Sequence, residues 1–402
     1  MHTGIYVHVP FCLRRCTYCD FNTYTGLLEL EDAYVAALVY EIELRAERAA
    51  DIEAQTLYFG GGTPSLLGED AIAKVVQAVR RHFRLPLRAE ITVEANPGTL
   101  DALYIGDLMD TGITRLSLGV QSSSEDDLEL LGRIHTWEDV VAGVAQAREV
   151  GLPDVSLDLI FGLPGQTLAS WQSTVEHTLA LEPDHLSLYA LQLEPGTPLA
   201  EAVALGELPL PDQDLAADMY ESASAKLHVA GFWQYEISNW ARGSTPPPGV
   251  WALPPGGTTE GIGSHISRHN LIYWRNQSWI GLGAGAHSWF RGRRFSNYPH
   301  PRVYTNAMRS GRLRGFEDTA IDRTVEMSET MMMGLRLAEG VTAARFGAAF
   351  GVPLEQVYGP TIEEFDAIGL ISWDGERVRL TERGRLLGNQ VFEAFLLDGG
   401  EL

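Results

Sequence analysis

The chain has 402 residues, 45% of them apolar, and at about 150 residues per domain this length predicts two or three domains. Its 30 basic and 53 acidic residues give a net charge of −23, which repels polyphosphate, so we expect no nucleic-acid partner. No window approaches the ~18 consecutive apolar residues of a membrane span and the first residues lack a signal-peptide pattern, so we expect a cytoplasmic protein with no transmembrane segment, although transient membrane contact stays open.

Six β-rich runs alternate with amphipathic helical stretches in residues 1–240. The runs begin at Ile5 (IYVHVPF), Thr56 (TLYFGG), Glu90 (EITVEAN), Arg115 (RLSLGVQ), Val155 (VSLDLIFG) and His185 (HLSLYALQ). Strands separated by helices predict βαβ units and a parallel sheet. Six units rather than eight favour an α/β fold of the partial (β/α)6 TIM-like barrel type, and a doubly wound open sheet is the alternative.

Residues suited to binding a ligand stand at the C-terminal ends of all six runs. In β/α barrels the active site lies at these ends. In chain order they are the cysteine cluster, Gly60–Pro64, Glu94 with Asn96, Gln121, Asp158 with Gly162, and Gln192. We therefore expect the site at the mouth of the barrel.

Residues 241–264 contain five prolines and six glycines and predict a flexible loop or lid. An aromatic- and histidine-rich stretch follows, and from about Met327 the pattern is helical. The Asp374-Gly375 pair then predicts a hairpin, so the end of the chain is winged-helix-like. We thus predict three domains: residues 1–240, 241–325 and 326–402.

The winged-helix-like end carries four arginines among several acidic residues. Binding of phosphates would need a coherent basic face. We therefore expect these side chains to be solvated or paired: Arg377, Arg379, Arg383 and Arg385.

The chain contains three cysteines, Cys12, Cys16 and Cys19, all within one short segment. Three thiolates in one loop can converge on one metal centre. A structural zinc site needs four ligands, and only His8 is near enough to complete the set. An iron–sulfur cluster on three thiolates leaves one iron open to a small molecule. We favour the cluster over zinc and over an inert group of cysteines.

The segment CLRRCTYC resembles the CxxxCxxC signature of the radical S-adenosylmethionine (SAM) enzymes. The longer stretch YVHVPFCLRRCTYCDF resembles the coproporphyrinogen III oxidase-like branch, and the similarity extends over nearly the whole chain. The resemblance implies a 4Fe-4S cluster on the three cysteines, with SAM bound to its open iron. It also implies a reductant, whose electron cleaves SAM to a 5′-deoxyadenosyl radical.

The same resemblance implies a set of SAM contacts. Read without it, the glycines form a tight turn, the polar strand ends are solvated, and His8 is packed and hydrogen-bonded. The implied contacts are Tyr6, Gly61, Gly62, Thr63, Glu94, Gln121, Arg133 and Asp158.

Two features distinguish the branches of this family. Oxygen-independent coproporphyrinogen III oxidases resemble CxxxCxxCxC, whereas this chain has Phe21 at the last position. The stretch HNLIYW resembles the HNxxYW motif associated with haem in HemW-type haem chaperones; read alone, it is a buried aromatic anchor. The residues matching the motif are His269, Asn270, Tyr273 and Trp274.

The resemblance therefore favours a haem chaperone that binds haem and passes it to an unidentified acceptor protein. The alternative is an oxygen-independent coproporphyrinogen III oxidase. His265 and His287 also lie near the motif in the sequence, so the identity of any haem ligand stays open. No catalytic residue is assigned.

Overall fold

In a computed structural model of the chain, residues 2–48, 51–243, 265–313 and 315–397 are described. Nearly all of the Pro/Gly-rich stretch predicted as a flexible loop or lid lies outside them. The strands are β1 (His2–Val9), β2 (Phe11–Cys12), β3 (Tyr24–Thr25), β4 (Glu53–Gly61), β5 (Glu90–Ala95), β6 (Arg115–Gln121), β7 (Asp154–Phe161), β8 (His185–Ala190), β9 (Phe232–Glu236), β10 (Asn239–Arg242), β11 (Trp279–Leu282), β12 (His287–Phe290), β13 (Arg293–Ser296), β14 (Glu317–Ala320), β15 (Val341–Thr342), β16 (Ile371–Trp373) and β17 (Arg377–Leu380).

The helices connect these strands and cover the sheet. They are α1 (Glu31–Arg48), α2 (Glu69–Phe83), α3 (Ala102–Thr111), α4 (Glu125–Leu130), α5 (Trp137–Glu149), α6 (Leu168–Ala180), α7 (Pro198–Ala204), α8 (Gln213–Val229), α9 (Arg268–Trp274), α10 (Pro301–Arg309), α11 (Arg323–Gly334), α12 (Ala343–Phe350), α13 (Leu354–Ala367), α14 (Glu382–Leu386) and α15 (Gly388–Ala394).

The chain forms two compact units, each built from two segments. The first unit comprises Met1–Ala223 and Ser278–Thr319, and the second comprises Ser224–Gln277 and Ala320–Leu402. The division into three consecutive domains stays a prediction.

The first unit is organised around six parallel strands. They lie side by side in the order β1, β4, β5, β6, β7, β8, which is their order in the chain. The six predicted strands and the parallel sheet are confirmed. A doubly wound sheet reverses its strand order at a switch point, and these six strands show no reversal, so the alternative topology is wrong.

Amphipathic helices cover the outer face of these strands. In α2 the buried residues recur at three- and four-residue spacing, as in Ile72, Val75, Val76 and Val79. A Thr136–Asp139 capping box begins α5. The outer helices thus bury one apolar stripe each, and the polar residues at the strand ends stay at the mouth.

On the other side of β1 the sheet is extended by strands that the sequence pattern did not predict. β11 pairs parallel with β1, β12 and β13 follow in antiparallel pairing, and β14 lies at the edge. Ile5 lies opposite Ile280 in this register. The pairing joins segments more than 270 residues apart, which no local periodicity reports.

One row of positions across the first unit is less buried than its neighbours. In β5, β6 and β7 the fifth residue is half-buried and all other residues are buried. Half-buried tyrosines continue the row in β1 and β4, where Tyr6 lies opposite Tyr58. The row therefore marks an accessible interior face: Tyr6, Tyr58, Glu94, Gly119 and Asp158.

The second unit has its own hydrophobic core, which includes Met331, Phe346, Leu354 and Tyr358. The predicted hairpin is present, because β16 and β17 are antiparallel on either side of Asp374-Gly375. Among the described residues, no helix has the length and apolar character to cross a membrane.

All four arginines of the winged-helix-like end make hydrogen bonds within the second unit. Their partners are, in chain order, the Glu339 carbonyl, the Asp374 carboxylate, the Ile368 carbonyl and the Gln234 side chain. Met331 is fully buried in the core, which is the packing alternative for the methionine-rich stretch.

Candidate cluster and cofactor site

The three cysteines lie in a loop whose ends are joined by the short β2–β3 pair, in which Phe11 lies opposite Tyr24. All three thiols are free and half-buried. Burial raises the pKa of Cys12 and of Cys19, so the free thiols are neutral at pH 7. Thiolate is the form that ligates iron, and a bound cluster would hold the cysteines in that form.

Two donors from other strands point at the sulfur atoms. Thr63 Oγ1 donates to Cys12 Sγ at 3.6 Å, and Arg133 Nη1 donates to Cys16 Sγ at 3.5 Å. Thiolate ligands of a cluster accept such hydrogen bonds. The three sulfurs and their donors therefore fit an iron–sulfur cluster.

His8 is buried below this loop, and both of its ring nitrogens are used. Nε2 lies 2.9 Å from the carbonyl oxygen of Asn22, so it carries the proton. Nδ1 then accepts a hydrogen bond from the Tyr6 hydroxyl at 3.0 Å. His8 is the packed histidine of the sequence alternatives, and it offers no free nitrogen to complete a zinc site.

The glycines of the Gly60–Pro64 turn are required by close packing. A Cβ on Gly61 would lie 2.4 Å from the His8 ring, and one on Gly62 would lie 2.6 Å from the Phe11 carbonyl oxygen. Gly61 also has a φ of +113°, which disfavours other residues.

The N–H groups of this turn already have acceptors. Gly62 and Thr63 donate to the carbonyls of Val9 and Phe11, each at 2.8 Å. Gly61 donates to Glu94 at 3.0 Å. The predicted SAM contact of this turn is therefore limited to its carbonyl oxygens and the Thr63 side chain.

Two carboxylates lie in the half-buried row. Glu94 accepts from the Tyr58 hydroxyl at 2.8 Å, and burial, with a further contribution from nearby Asp158, raises its pKa to about 7. Burial also raises the pKa of Asp158, although Ser187 and Ser117 donate to it. Both groups were predicted as SAM contacts, and the structure brings them to one interior face.

Gln121 and Arg133 meet above the half-buried row. Gln121 is buried with a φ of +69°, a strained conformation for a residue with a side chain, and strain of this kind clusters at functional sites. A Cβ on Gly119 would lie 2.9 Å from Gln121 Nε2 and 3.2 Å from Arg133 Nη2. Gly119 therefore leaves the space in which these two side chains converge.

Asn96 belongs to this site, although its position at a strand end was the only signal for it. Its Nδ2 donates to Thr63 Oγ1 at 3.1 Å, and its Oδ1 accepts from Arg133 Nη2 at 2.5 Å. It thus joins the GGGTP turn to the predicted SAM-binding arginine.

The residues matching HNxxYW lie on α9, in the second unit. His269 is fully buried, its Nε2 lies 2.9 Å from the Tyr273 hydroxyl, and burial lowers its pKa to about 3. Asn270, Tyr273 and Trp274 are half-buried. His287, in the first unit, is exposed.

A profile of the Radical SAM superfamily matches residues 6–178, and a profile of the HemN C-terminal domain matches residues 321–387. The coproporphyrinogen III oxidase HemN of Escherichia coli, described as a radical SAM enzyme, superposes with a TM-score of 0.81. That alignment covers 98% of this chain and 90% of HemN at 24% identity. The predicted fold class is therefore confirmed.

Three curated relatives, each named "Heme chaperone HemW", match along nearly their whole length. The Bacillus subtilis protein is 37% identical over 99% of both chains. The Mycobacterium tuberculosis H37Rv protein is 39% identical over 98% of this chain and 94% of the relative. The Escherichia coli K12 protein is 35% identical over 98% of both. The chain accordingly belongs to the radical SAM superfamily and, within it, to the HemW family, as its motifs predicted.

Proposed function

We propose that this protein is a haem chaperone that binds haem and delivers it to an acceptor protein. The observation that carries the proposal is its full-length similarity to relatives that bear the name heme chaperone. Phe21 supports it, because this residue takes the position of the additional cysteine of the oxidases and its side chain is 62% exposed.

Membership of the radical SAM superfamily implies a 4Fe-4S cluster and SAM. Cys12, Cys16 and Cys19 would hold the cluster, which supplies an electron to bound SAM. Glu94 and Asp158 would accept hydrogen bonds from SAM hydroxyl or amino groups, and the other predicted contacts surround them: Tyr6, Gly61, Gly62, Thr63, Gln121 and Arg133. Iron and sulfide analysis of Cys16→Ser tests the ligand set, since a full cluster in this variant would contradict it.

The α9 helix is the proposed haem segment. Trp274 is half-buried, and Arg336 stacks on its ring at 4.8 Å from the centroid. Burying a few hundred Å² of porphyrin at ~25 cal/mol/Å² would supply several kcal/mol. Tyr273 and Asn270 are also half-buried and would contribute polar contacts at the edge of the ring.

His269 is the proposed iron ligand. Its pKa of about 3 keeps the imidazole neutral at pH 7, which is the form that ligates metals. Because it is fully buried and bonded to Tyr273, it must leave that hydrogen bond to reach iron. Haem binding therefore requires α9 to move or its side chains to change rotamer.

The test is anaerobic reconstitution of the full chain, followed by separate incubation with haem and with coproporphyrinogen III plus SAM and a reductant. We expect about one haem per chain, with a Soret band of histidine ligation, and no protoporphyrinogen. Formation of protoporphyrinogen at each turnover, without haem binding, would establish the oxidase alternative instead.

A further inference from the structure

A continuous chain of hydrogen bonds joins the thiols of Cys12 and Cys16. Thr63 Oγ1 donates to Cys12 Sγ at 3.6 Å, and Asn96 Nδ2 donates to the Thr63 hydroxyl oxygen at 3.1 Å. Asn96 Oδ1 accepts from Arg133 Nη2 at 2.5 Å, and Arg133 Nη1 donates to Cys16 Sγ at 3.5 Å. The chain therefore ends on two different sulfurs, and Asn96 is its central member.

The guanidinium of Arg133 is held from two further sides. Its Nη2 donates to the Gly119 carbonyl at 2.7 Å, and its Nε donates to His135 Nδ1 at 3.4 Å. His135 Nε2 lies 3.1 Å from the Val120 carbonyl, so Nε2 carries the proton and Nδ1 is free to accept. Asn96 alone among these partners also contacts Thr63, so it orients both sulfur-directed donors.

We propose that Asn96 is a positioning residue that keeps Arg133 and Thr63 directed at the cluster thiolates and thereby raises the reduction potential of the cluster. A donor on a cysteine sulfur stabilises the more electron-rich reduced cluster more than the oxidised one. The positive charge of Arg133 acts in the same direction. The reaction is a one-electron reduction by an external reductant, and the proposal rests on superfamily membership rather than on haem transfer.

The test is a redox titration of the reconstituted full chain, monitored by electron paramagnetic resonance, without SAM or haem. Asn96→Leu keeps the volume and removes both hydrogen bonds. We expect a more negative midpoint potential, with about fivefold less reduced cluster at a fixed solution potential, as for the loss of one hydrogen bond. Arg14→Leu, which removes an exposed cation from the same loop, is the control and should change the potential less.

A double-mutant cycle separates positioning from a general structural effect. If Asn96 acts mainly through Arg133, adding Asn96→Leu to Arg133→Leu should shift the potential by less than Asn96→Leu does alone. Asn96→Ser, too short to bridge both partners, repeats the test if Asn96→Leu takes up less than a full cluster. An unchanged potential in a fully loaded Asn96 variant, or strictly additive shifts, would overturn the proposal.

Discussion

The carboxylate of Glu41 accepts a hydrogen bond from the hydroxyl of Tyr304 at 2.8 Å, although the two residues are 263 positions apart. The same buried carboxylate accepts from Arg45 at 2.7 Å and from Asn297 at 2.8 Å. It also accepts from the Gly283 N–H at 2.9 Å. Glu41 thus attaches the extension of the sheet beyond β11 to α1.

Glu41→Ala should destabilise the protein by about 3 kcal/mol, because it leaves the buried Arg45 without its charge partner. Urea unfolding measures the change. Glu43→Ala is the matched control, since Glu43 is exposed on the same helix and its loss should change stability by less than about 0.5 kcal/mol. Equal effects of the two substitutions would show that the buried network contributes nothing specific.

Gln121→Ala should weaken SAM binding about fivefold, the effect of losing one good polar contact of roughly 1 kcal/mol. Equilibrium binding of SAM to the reconstituted protein measures it. Gln77→Ala, an exposed glutamine on α2, is the control. If Gln121→Ala combined with Asp158→Ala left SAM affinity unchanged, both residues would be structural only.

Glu236 makes stability depend on pH in the second unit. Burial raises its pKa from 4.5 to about 7, so the folded state binds this proton more tightly than the unfolded state does. The free energy of unfolding should therefore fall as pH rises from 4.5 to 7, by up to ~3 kcal/mol from this group.

Urea midpoints at pH 5 and pH 8 measure this dependence. Glu236→Gln removes the titrating group, so the difference between the two midpoints should become smaller than in the unsubstituted protein. A difference of the same size in the variant would show that other groups cause the pH dependence.

His269→Ala should weaken haem binding or shift the Soret band while leaving the iron and sulfide content unchanged. Haem titration followed by absorbance measures this. His287→Ala is the comparison, because that histidine is exposed and lies in the other unit. Loss of histidine ligation in His287→Ala, with normal spectra in His269→Ala, would assign the ligand to His287 instead.

The sequence predicted the elements whose signals are local. The six parallel strands follow from short β-branched runs between amphipathic helices, and the cluster loop follows from the spacing of Cys12, Cys16 and Cys19. The register of β11 against β1 could not be predicted, because the parallel partner of Ile5 lies at Ile280. Such a pairing depends on packing across the whole first unit.

The site shows the same division between local and long-range information. Glu94 and Asp158 were recognised as polar residues at strand ends, and both lie in the half-buried row. The role of Asn96 depends on its distances to Thr63 and Arg133, which belong to other strands and loops. The burial of His269 likewise results from packing in the second unit, which a motif alone does not report.

Transfer of haem to an acceptor tests the proposed function most directly. The haem-loaded protein is mixed with a soluble b-type apo-cytochrome, the two are separated, and the Soret absorbance of each is recorded. The account predicts that haem leaves this protein and appears in the cytochrome faster than from an equal amount of haem bound to serum albumin. Haem that does not bind, or that stays on this protein while coproporphyrinogen III is converted in the presence of SAM, would contradict it.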